Sequence, residues 1–481
     1  MPLSGGNGHH EGVKLLALLL AFAAPESLPG PHALEAERHA ADPEAAWVRA
    51  PVESIVPAAA AATPRLTVRV WGYAPYWTTL DLNTFRWDLV SDLLIFSAGL
   101  AADGTVTAPR GWPNAALVEA AHAHGVKVHL CITRFTSDTV TAFLNNGTAK
   151  AAAAAKFAAM AKEGNLDGIN LDFEFVTSTV KDAFTAFVDY SRAALRQQVP
   201  HGELTLATPS SPGYKGYDWV KLAQVSDGLL LMGYGYHYGG SNNTGPIEPL
   251  TKGGFWSGAV GPDVDALLAF APAAKMALGV PYYGYDWQAA STAAAATVLA
   301  NTNGTAVIFK DAVVKAAANG RIWDAPSQTP WYHYTSNSVI HQTWYDDGES
   351  MALKYRFVKS RNLQGTMIWA LGYDNGRNEL WNAIEAELGL PVVTDGGSPD
   401  AGGSDAGSGD AGSPDAGSDA GSPDAGVADG GTGNPPPDAG PDAGPDPQPV
   451  VPAGGCGSSS AGLGALLAAL AALAMRRRRI G

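Results

Sequence analysis

Cysteine, charge and long apolar runs are scarce in this 481-residue chain, and each scarcity excludes a class of protein. Only Cys131 and Cys456 are present, so no internal disulfide framework is available. The eleven histidines show neither HExxH nor CxxC spacing, which argues against a metal hydrolase. Charged residues make up 16% of the chain and give a net charge of −15, so nucleic acid is not an expected partner. We expect neither a bound metal nor another cofactor.

Aromatic residues are missing from the last part of the chain, since no Trp, Tyr or Phe follows Trp381. Residues 395–450 instead repeat DAG, SPDAG and GPDAGPD, with eleven Asp and no Lys, Arg or Glu. Such a segment buries too little apolar area to offset chain entropy, so residues 393–453 are predicted to be a disordered spacer. Its aspartates account for eleven of the fifteen net negative charges, so the globular part is close to neutral.

Both ends of the chain resemble targeting signals. The run LLALLLAFAA (15–24) is too short to span a bilayer and predicts a signal-peptide-like segment over 1–26, followed by a Pro/Ala-rich linker over 27–64. Residues 454–481 contain Cys456, an apolar run and four arginines, and resemble the C-terminal sorting tails of myxobacterial surface proteins. The expected location is the cell surface or outer envelope, with the tail engaging the membrane or the sorting machinery. A plain transmembrane anchor is the alternative for this tail.

The middle of the chain, 65–392, alternates short β-rich runs with Ala-rich helical stretches. Eight such runs, including TVRVWGY, LLIFSA, GINLDFE and GTMIWAL, predict an α/β fold, a (β/α)8 TIM barrel. The region exceeds the ~250 residues that this barrel typically needs. A small α+β insertion is therefore expected between strands 7 and 8, over 288–346.

One strand carries a polar face that needs an explanation. In DGINLDFE (167–174) the side-chain period of a strand places Asn170, Asp172 and Glu174 on one face and apolar residues on the other. Two neighbouring carboxylates repel each other and are costly to desolvate, so a purely structural strand would seldom carry both. The pattern indicates a catalytic site at the C-terminal ends of the strands, where barrels of this kind carry their chemistry.

Aromatic residues are predicted at other strand ends of the same barrel. Tyr73 and Trp77 follow the first strand, Tyr234 the sixth and Tyr283 the seventh, while Trp369 lies in the eighth. Sugar rings stack their C–H faces on aromatic planes, and a departing glycosidic oxygen needs a proton donor. Two acids surrounded by aromatics therefore favour a carbohydrate polymer as substrate.

These motifs resemble glycoside hydrolase family 18, the chitinase-like family, over essentially all of 67–390. Its DxxDxDxE signature is matched at Asp167, Asp172 and Glu174, with Asn170 in place of the usual Asp. GVPYYGYDW and GTMIWALGYD resemble the seventh- and eighth-strand motifs, and GYGYHYGGSNNTGPIEPL resembles a segment of the bacterial, spore-lysin-like branch.

The resemblance implies a retaining, substrate-assisted mechanism on N-acetylglucosamine-containing polysaccharides. Glu174 would be the general acid, Asp172 would orient the 2-acetamido group, Tyr234 would hydrogen-bond it, and Trp369 would lie beneath the reacting ring. Further substrate contacts are implied for Asn170, Tyr73, Trp77, Met232, Tyr236 and Tyr283. Gly235 stands where the family usually has an Asp, which removes a carboxylate that often contacts substrate.

Three functions remain open from the sequence. The first is an exported hydrolase that cleaves β-1,4-linked N-acetylglucosamine glycans, either chitin or peptidoglycan. The second is a non-catalytic, lectin-like carbohydrate-binding protein on the same barrel, and the third is a structural surface protein. Retention of both Asp172 and Glu174 favours the hydrolase.

Overall fold

The central element of the computed structural model, which describes residues 30–42 and 64–391, is a closed barrel of eight parallel strands. In chain order the strands are β1 (Arg69–Pro75), β2 (Asp92–Leu100), β3 (Val106–Thr107), β4 (Lys127–Arg134), β5 (Gly168–Phe173), β6 (Glu203–Pro209), β7 (Gly228–Met232), β8 (Met276–Pro281), β9 (Tyr283–Ala289), β10 (Thr305–Ile308), β11 (Ile322–Asp324), β12 (Thr329–Ser336), β13 (Val339–Trp344) and β14 (Gly365–Trp369). The barrel order is β1-β14-β8-β7-β6-β5-β4-β2, and pairing of β1 with β2 closes it. The predicted TIM barrel is confirmed.

Helices follow most of the barrel strands and cover the barrel. They are α1 (Pro31–Arg38), α2 (Ala115–Ala123), α3 (Ser137–Leu144), α4 (Gly147–Glu163), α5 (Lys181–Gln198), α6 (Trp219–Val225), α7 (Val260–Leu267), α8 (Phe309–Asn319), α9 (Gly348–Ser360) and α10 (Glu379–Leu388). Local signals start several of them: the Asn146 side chain accepts from the Ala149 amide at the start of α4, and Asp347 and Ser350 form a capping box on α9.

A second, antiparallel sheet lies between β8 and β14 in the chain. Its strand order is β10-β9-β13-β12-β11, and α8 lies between β10 and β11 in the chain. The rings of Trp331 and Trp344 stack at 5.0 Å on neighbouring strands of this sheet. The first strand of this sheet, β9, begins at Tyr283, whereas the sequence analysis places the start of the insertion at residue 288. Tyr283 therefore lies on a strand of the second sheet.

A buried charge cluster joins this second sheet to the barrel. The Lys354 ammonium group on α9 contacts Glu248 at 2.9 Å and Asp346 at 2.5 Å, and none of the three side chains is exposed to solvent. Burial raises the pKa of the Glu248 carboxyl to about 8, although the Lys354 charge opposes this shift. The cluster fixes the loop after β7, the chain after β13 and α9 to one another.

Helix α1 lies within the range 27–64 that the sequence analysis assigns to a linker, and it packs into the barrel cleft. Pro31 occupies its first turn, and His32, Ala33 and Glu35 are buried against barrel residues. The other expectations for the termini, namely the signal-like segment, the spacer and the sorting tail, fall outside the described residues. In the part of the chain that is described, no helix is long and apolar enough to cross a membrane.

Candidate functional site

Strand β5 positions the polar face predicted from DGINLDFE. The side chains of Asn170 and Asp172 are fully buried inside the barrel, and Glu174, one residue beyond the strand, is 2% exposed. The Glu174 amide still donates to the Arg134 carbonyl on β4, so its side chain continues the same face. Asp167, the first signature residue, lies at the opposite end of β5 and accepts hydrogen bonds from the Val128 amide and from His122.

Asn170 is hydrogen-bonded through both polar atoms of its side chain in the barrel interior. Its Oδ1 accepts from the Tyr73 hydroxyl at 2.8 Å, and its Nδ2 donates to the Thr205 hydroxyl at 3.0 Å. An amide satisfies both partners without adding a charge. Asn170 therefore positions Tyr73 and leaves Asp172 and Glu174 as the only two carboxylates of this face.

Asp172 and Glu174 lie close enough to interact electrostatically. One carboxyl oxygen of Asp172, one of Glu174 and one ring nitrogen of His32 all lie within 4.8 Å of one another. Burial first and the Asp172 charge second raise the pKa of the Glu174 carboxyl well above its usual range. Both effects favour the protonated form of Glu174, which is the state that a general acid requires.

Aromatic side chains surround this pair. Trp369 is fully buried and forms edge-to-face contacts with Tyr73 and Phe96 at 5.3 and 4.9 Å. Trp77 lies at the rim, where its Nε1 donates to the Tyr373 hydroxyl at 3.0 Å. The buried Tyr234 lies edge-on to Tyr283 at 6.1 Å between ring centroids.

A cavity of about 340 Å³ adjoins Glu174. Among the predicted site residues, those that line it are Glu174, Met232, Tyr234, Tyr236 and Tyr283. The Tyr236 hydroxyl donates to Asp263 at 2.8 Å, and burial, opposed by a hydrogen bond with Ser210, raises the pKa of Tyr236. Asn170, Asp172, Tyr73 and Trp369 lie deeper in the barrel, and Trp77 lies at the rim.

Several residues of the site were not predicted. Tyr373 and Asp263 join it through the hydrogen bonds to Trp77 and Tyr236. Tyr373 lies in GTMIWALGYD, so its place just after the eighth strand was a signal that could have identified it. Asp263 lies on α7, where no sequence pattern distinguishes it.

The unpredicted segment 30–42 occupies the cleft directly above the two carboxylates. A ring nitrogen of His32 lies 2.7 Å from Asp172 Oδ2, and the other lies 2.6 Å from the Tyr234 hydroxyl. The Ala33 amide donates to Glu174 Oε1 at 3.3 Å. Gly235, which replaces the usual Asp, has a positive φ of 109°, and a β-carbon added there would lie 3.6 Å from Pro31 Cγ.

Two clusters of the described residues have the donor atoms of a cation site. The first is His32, Asp172 and Glu174, and the second is Asp92, His129 and Glu203. In the second cluster the guanidinium group of Arg69 already contacts both carboxylates, so a positive charge is present there. In the first, one of the three donors comes from the segment above the cleft.

Comparison with known proteins agrees with this geometry. Residues 69–374 match the description "Glycosyl hydrolases family 18". The chain is 26% identical over 298 residues to the cortical fragment-lytic enzyme of Bacillus subtilis, covering 59% of this chain and 65% of that protein. It is 30% identical over 260 residues to mouse chitotriosidase-1, covering 47% of this chain and 55% of that protein. The chain thus spans about two thirds and about half of these two relatives.

A solved structure with the same fold is a family 18 chitinase from Cycas revoluta, a G77W/E119Q mutant in complex with (GlcNAc)4. The TM-score is 0.60 at 19% identity, covering 66% of this chain and 99% of that one. The likeness at this identity concerns the fold. Since the family match covers more than half of the sequence and includes the strand that carries Asp172 and Glu174, this chain belongs to glycosyl hydrolases family 18.

Proposed function

We propose that this protein is an exported glycoside hydrolase that cleaves β-1,4-linked N-acetylglucosamine glycans by a retaining, substrate-assisted mechanism. The observation that carries the proposal is the pairing of buried Asp172 with Glu174, whose pKa is raised, among Tyr234 and Trp369. Export and display at the cell envelope are supported by the sequence of the two termini.

Glu174 is suited to be the general acid. Burial and the Asp172 charge raise the pKa of its carboxyl group and so favour the protonated form, and the group lines the cavity, where it donates a proton to the glycosidic oxygen as that bond breaks. The resulting carboxylate then takes a proton from the water that attacks the anomeric carbon. The same group therefore acts first as acid and then as base.

The position of Asp172 favours a nucleophile that belongs to the substrate. Asp172 and Glu174 project from the same face of one strand, whereas a protein nucleophile has to attack the sugar ring from the side opposite the acid. Asp172 Oδ1 is buried and accepts no hydrogen bond from any described residue. It is free to accept one from an acetamido N–H, which would turn the acetamido carbonyl towards the anomeric carbon.

Tyr234 and Trp369 complete the recognition of an N-acetyl sugar. The Tyr234 hydroxyl lies near Asp172, since the two nitrogens of the His32 ring contact these two groups. The buried face of Trp369 offers an apolar surface beneath that position. Hydrolysis should therefore require a 2-acetamido group, which both chitin and peptidoglycan carry.

Product analysis with a matched variant tests the proposal. The purified full chain is incubated with chitin oligomers and with peptidoglycan, and soluble fragments are identified by mass spectrometry, beside Glu174→Gln. We expect fragments from the parent and a rate lower by about 10²–10⁴-fold in the variant, the usual contribution of general acid catalysis. Equal release by both proteins would contradict the role of Glu174. Binding of oligomers without release by either protein would indicate a lectin-like function instead.

A further inference from the structure

We infer that residues 30–42 form an autoinhibitory plug that occupies the glycan-binding cleft and must leave before hydrolysis. The inference rests on the proposed function for the identity of the ligand that the plug excludes. The plug itself is a set of contacts between this segment and the barrel, and these contacts do not depend on catalysis.

His32 occupies the position proposed for the acetamido group. Its ring stacks on Trp369 with 3.9 Å between centroids and a 26° tilt, while its two nitrogens contact Asp172 and Tyr234. Both ring nitrogens therefore have a hydrogen-bond partner in the barrel, the Asp172 carboxyl group for one and the Tyr234 hydroxyl for the other. His32 thereby engages all three groups proposed to hold the reacting sugar.

The first turn of α1 covers the general acid. The Ala33 amide, one of the free N–H groups at the start of a helix, points at Glu174, and the positive end of the helix dipole lies beside both carboxylates. Gly30 packs against Glu174 so closely that a β-carbon on Gly30 would lie 1.3 Å from Oε2. A side chain at position 30 would have to displace either the Glu174 carboxyl group or the plug, and the docked plug covers part of the carboxyl group that lines the cavity.

The second half of the plug covers the rim of the cleft. His39 stacks on Trp77 at 4.7 Å with a 10° tilt, and the Tyr76 hydroxyl donates to the His39 carbonyl at 2.6 Å. Glu35 is 2% exposed and accepts from the Tyr373 hydroxyl at 2.7 Å. Arg110 donates to the carbonyls of Ala40 and Asp42.

The spacing of the two histidines explains how one short helix reaches both aromatic residues. His32 and His39 are seven residues apart, which is two helical turns or about 10 Å along the axis, and they lie on the same side. Each places an imidazole against one of the Trp residues predicted to bind sugar. The plug therefore takes both stacking surfaces at once and competes directly with a glycan chain.

Substrate binds only to molecules in which the plug is undocked. The apparent affinity is therefore the intrinsic affinity multiplied by the fraction of undocked molecules. A plug that is docked in 99% of molecules lowers apparent affinity about 100-fold. Loss of one buried hydrogen bond to a charged group shifts such an equilibrium by about 10-fold or more. Variants of the plug should thus raise activity, which is the opposite of what a structural contact in the active site would give.

Two variants of the full chain open the plug by different means, and each has a control on the exposed part of the plug. Gly30→Leu introduces a side chain where Glu174 leaves no room, at a φ of −71° that any residue adopts. Its control, Ala41→Leu, adds the same bulk at an exposed position. His32→Ala removes the contacts to Asp172 and Tyr234, and its control, Glu37→Gln, changes an exposed residue of α1.

Initial rates on N-acetylglucosamine tetramer, well below saturation, are the first measurement. We expect kcat/KM to rise about 10-fold or more in Gly30→Leu and His32→Ala, and to change less than about twofold in the two controls. The second measurement is hydrogen exchange of the amides of residues 33–39 with and without tetramer. In the parent, exchange should be slow and should accelerate when the tetramer displaces the plug.

The two measurements separate failure of the plug from failure of the proposed function. Unchanged rates in Gly30→Leu and His32→Ala, with amides of 33–39 in the parent exchanging as in an unfolded peptide, would overturn the plug. Absence of hydrolysis in every variant, with tetramer still accelerating exchange of 33–39, would support the plug and overturn the hydrolase. Slow exchange that tetramer does not alter, together with unchanged rates, would also overturn the plug, because the segment would then not compete with glycan.

Discussion

The two ends of the barrel both bury carboxylates, but they differ in what balances the negative charge. At the N-terminal ends of the strands, Asp92 is fully buried and accepts hydrogen bonds from Arg69 Nε at 3.0 Å and from His129 at 2.9 Å. Arg69 also contacts Glu203 at 2.7 Å. At the C-terminal ends, Asp172 and Glu174 receive no hydrogen bond from any Arg or Lys within the described barrel, residues 64–391.

The difference in partners produces opposite pKa shifts. Burial would raise the pKa of Asp92, but the hydrogen bond from His129 and the charge of Arg69 outweigh it and lower that pKa. The pKa of Glu174 is raised, because only burial and a second carboxylate act on it from the barrel. Asp92 thus has a cationic partner within the barrel, whereas the groups that contact Asp172 and Glu174 from outside the strands, His32 and the Ala33 amide, belong to the plug.

The largest expected effect comes from removing the cationic partner of Asp92 at the N-terminal ends of the strands. Arg69→Met would leave Asp92 without its guanidinium partner, and we expect the free energy of unfolding to fall by about 3 kcal/mol, the lower end of the range for breaking a buried ion pair, since Arg69 is 26% exposed. Urea unfolding at neutral pH measures it. Activity per folded molecule should not change, because the cluster lies at the far end of the barrel.

Arg361→Met is the control for this loss. The Arg361 to Asp265 ion pair is exposed on both sides, 38% and 42%, so its removal should cost at most about 1 kcal/mol. Equal losses in the two variants would show that the Arg69 cluster is no more important for stability than a surface pair. The comparison between the two ends of the barrel would then have no energetic basis.

The next effect concerns Asp172 and Glu174 at the C-terminal ends of the strands. It is best measured in Gly30→Leu, in which the plug is open. Adding Asp172→Asn removes the like charge that helps to raise the pKa of Glu174, while burial remains. We expect the alkaline limb of the pH–rate profile to move to lower pH and the rate at the optimum to fall by about 100-fold, as for loss of one preorganised polar contact.

Asp167→Asn in the same background is the matched control. Asp167 belongs to the same signature, but it bonds to Val128 and His122 at the far end of β5. Its replacement should leave the alkaline limb in place. A profile that shifts equally in both variants would show that the coupling between Asp172 and Glu174 does not set the pH dependence.

The barrel and its polar face could be predicted from sequence because both depend on local periodicity. A strand repeats every two residues, so DGINLDFE already indicates which three side chains share a face, and strand ends locate the aromatics. The start of the second sheet at Tyr283 was missed, since YGYDWQA follows β8 almost without interruption and looks like the end of a barrel strand.

The plug could not be predicted for a different physical reason. Residues 31–38, PHALEAER, carry an ordinary helix signal with Pro in the first turn and helix-favouring Ala, Leu and Glu. Its position is decided by contacts between His32 and residues 140 and 202 positions later in the chain. No local pattern specifies such partners, and a Pro/Ala-rich surrounding sequence suggests a linker.

The smallest expected effect is a dependence of the plug on pH through His39. Burial would lower the pKa of His39, but the Glu35 carboxylate 3.8 Å away and the hydrogen bond to Asp42 raise it above 6.5 in the docked segment, and its surroundings also include Arg38, Tyr76 and Arg110. Because the docked pKa is raised, this contribution to docking is complete below pH 6.5 and is lost as pH rises through the docked value.

The ratio of the parent rate to the Gly30→Leu rate isolates this effect, since Glu174 titrates in both proteins. We expect the ratio to rise a few-fold between about pH 6 and pH 8.5, as the plug loosens, and to stay flat when His39→Gln is introduced into the parent. A ratio that falls with pH would mean that docking favours neutral His39, contrary to its carboxylate partners. His39 would then hold the rim end of the plug only by stacking on Trp77, and its charge would not contribute to docking.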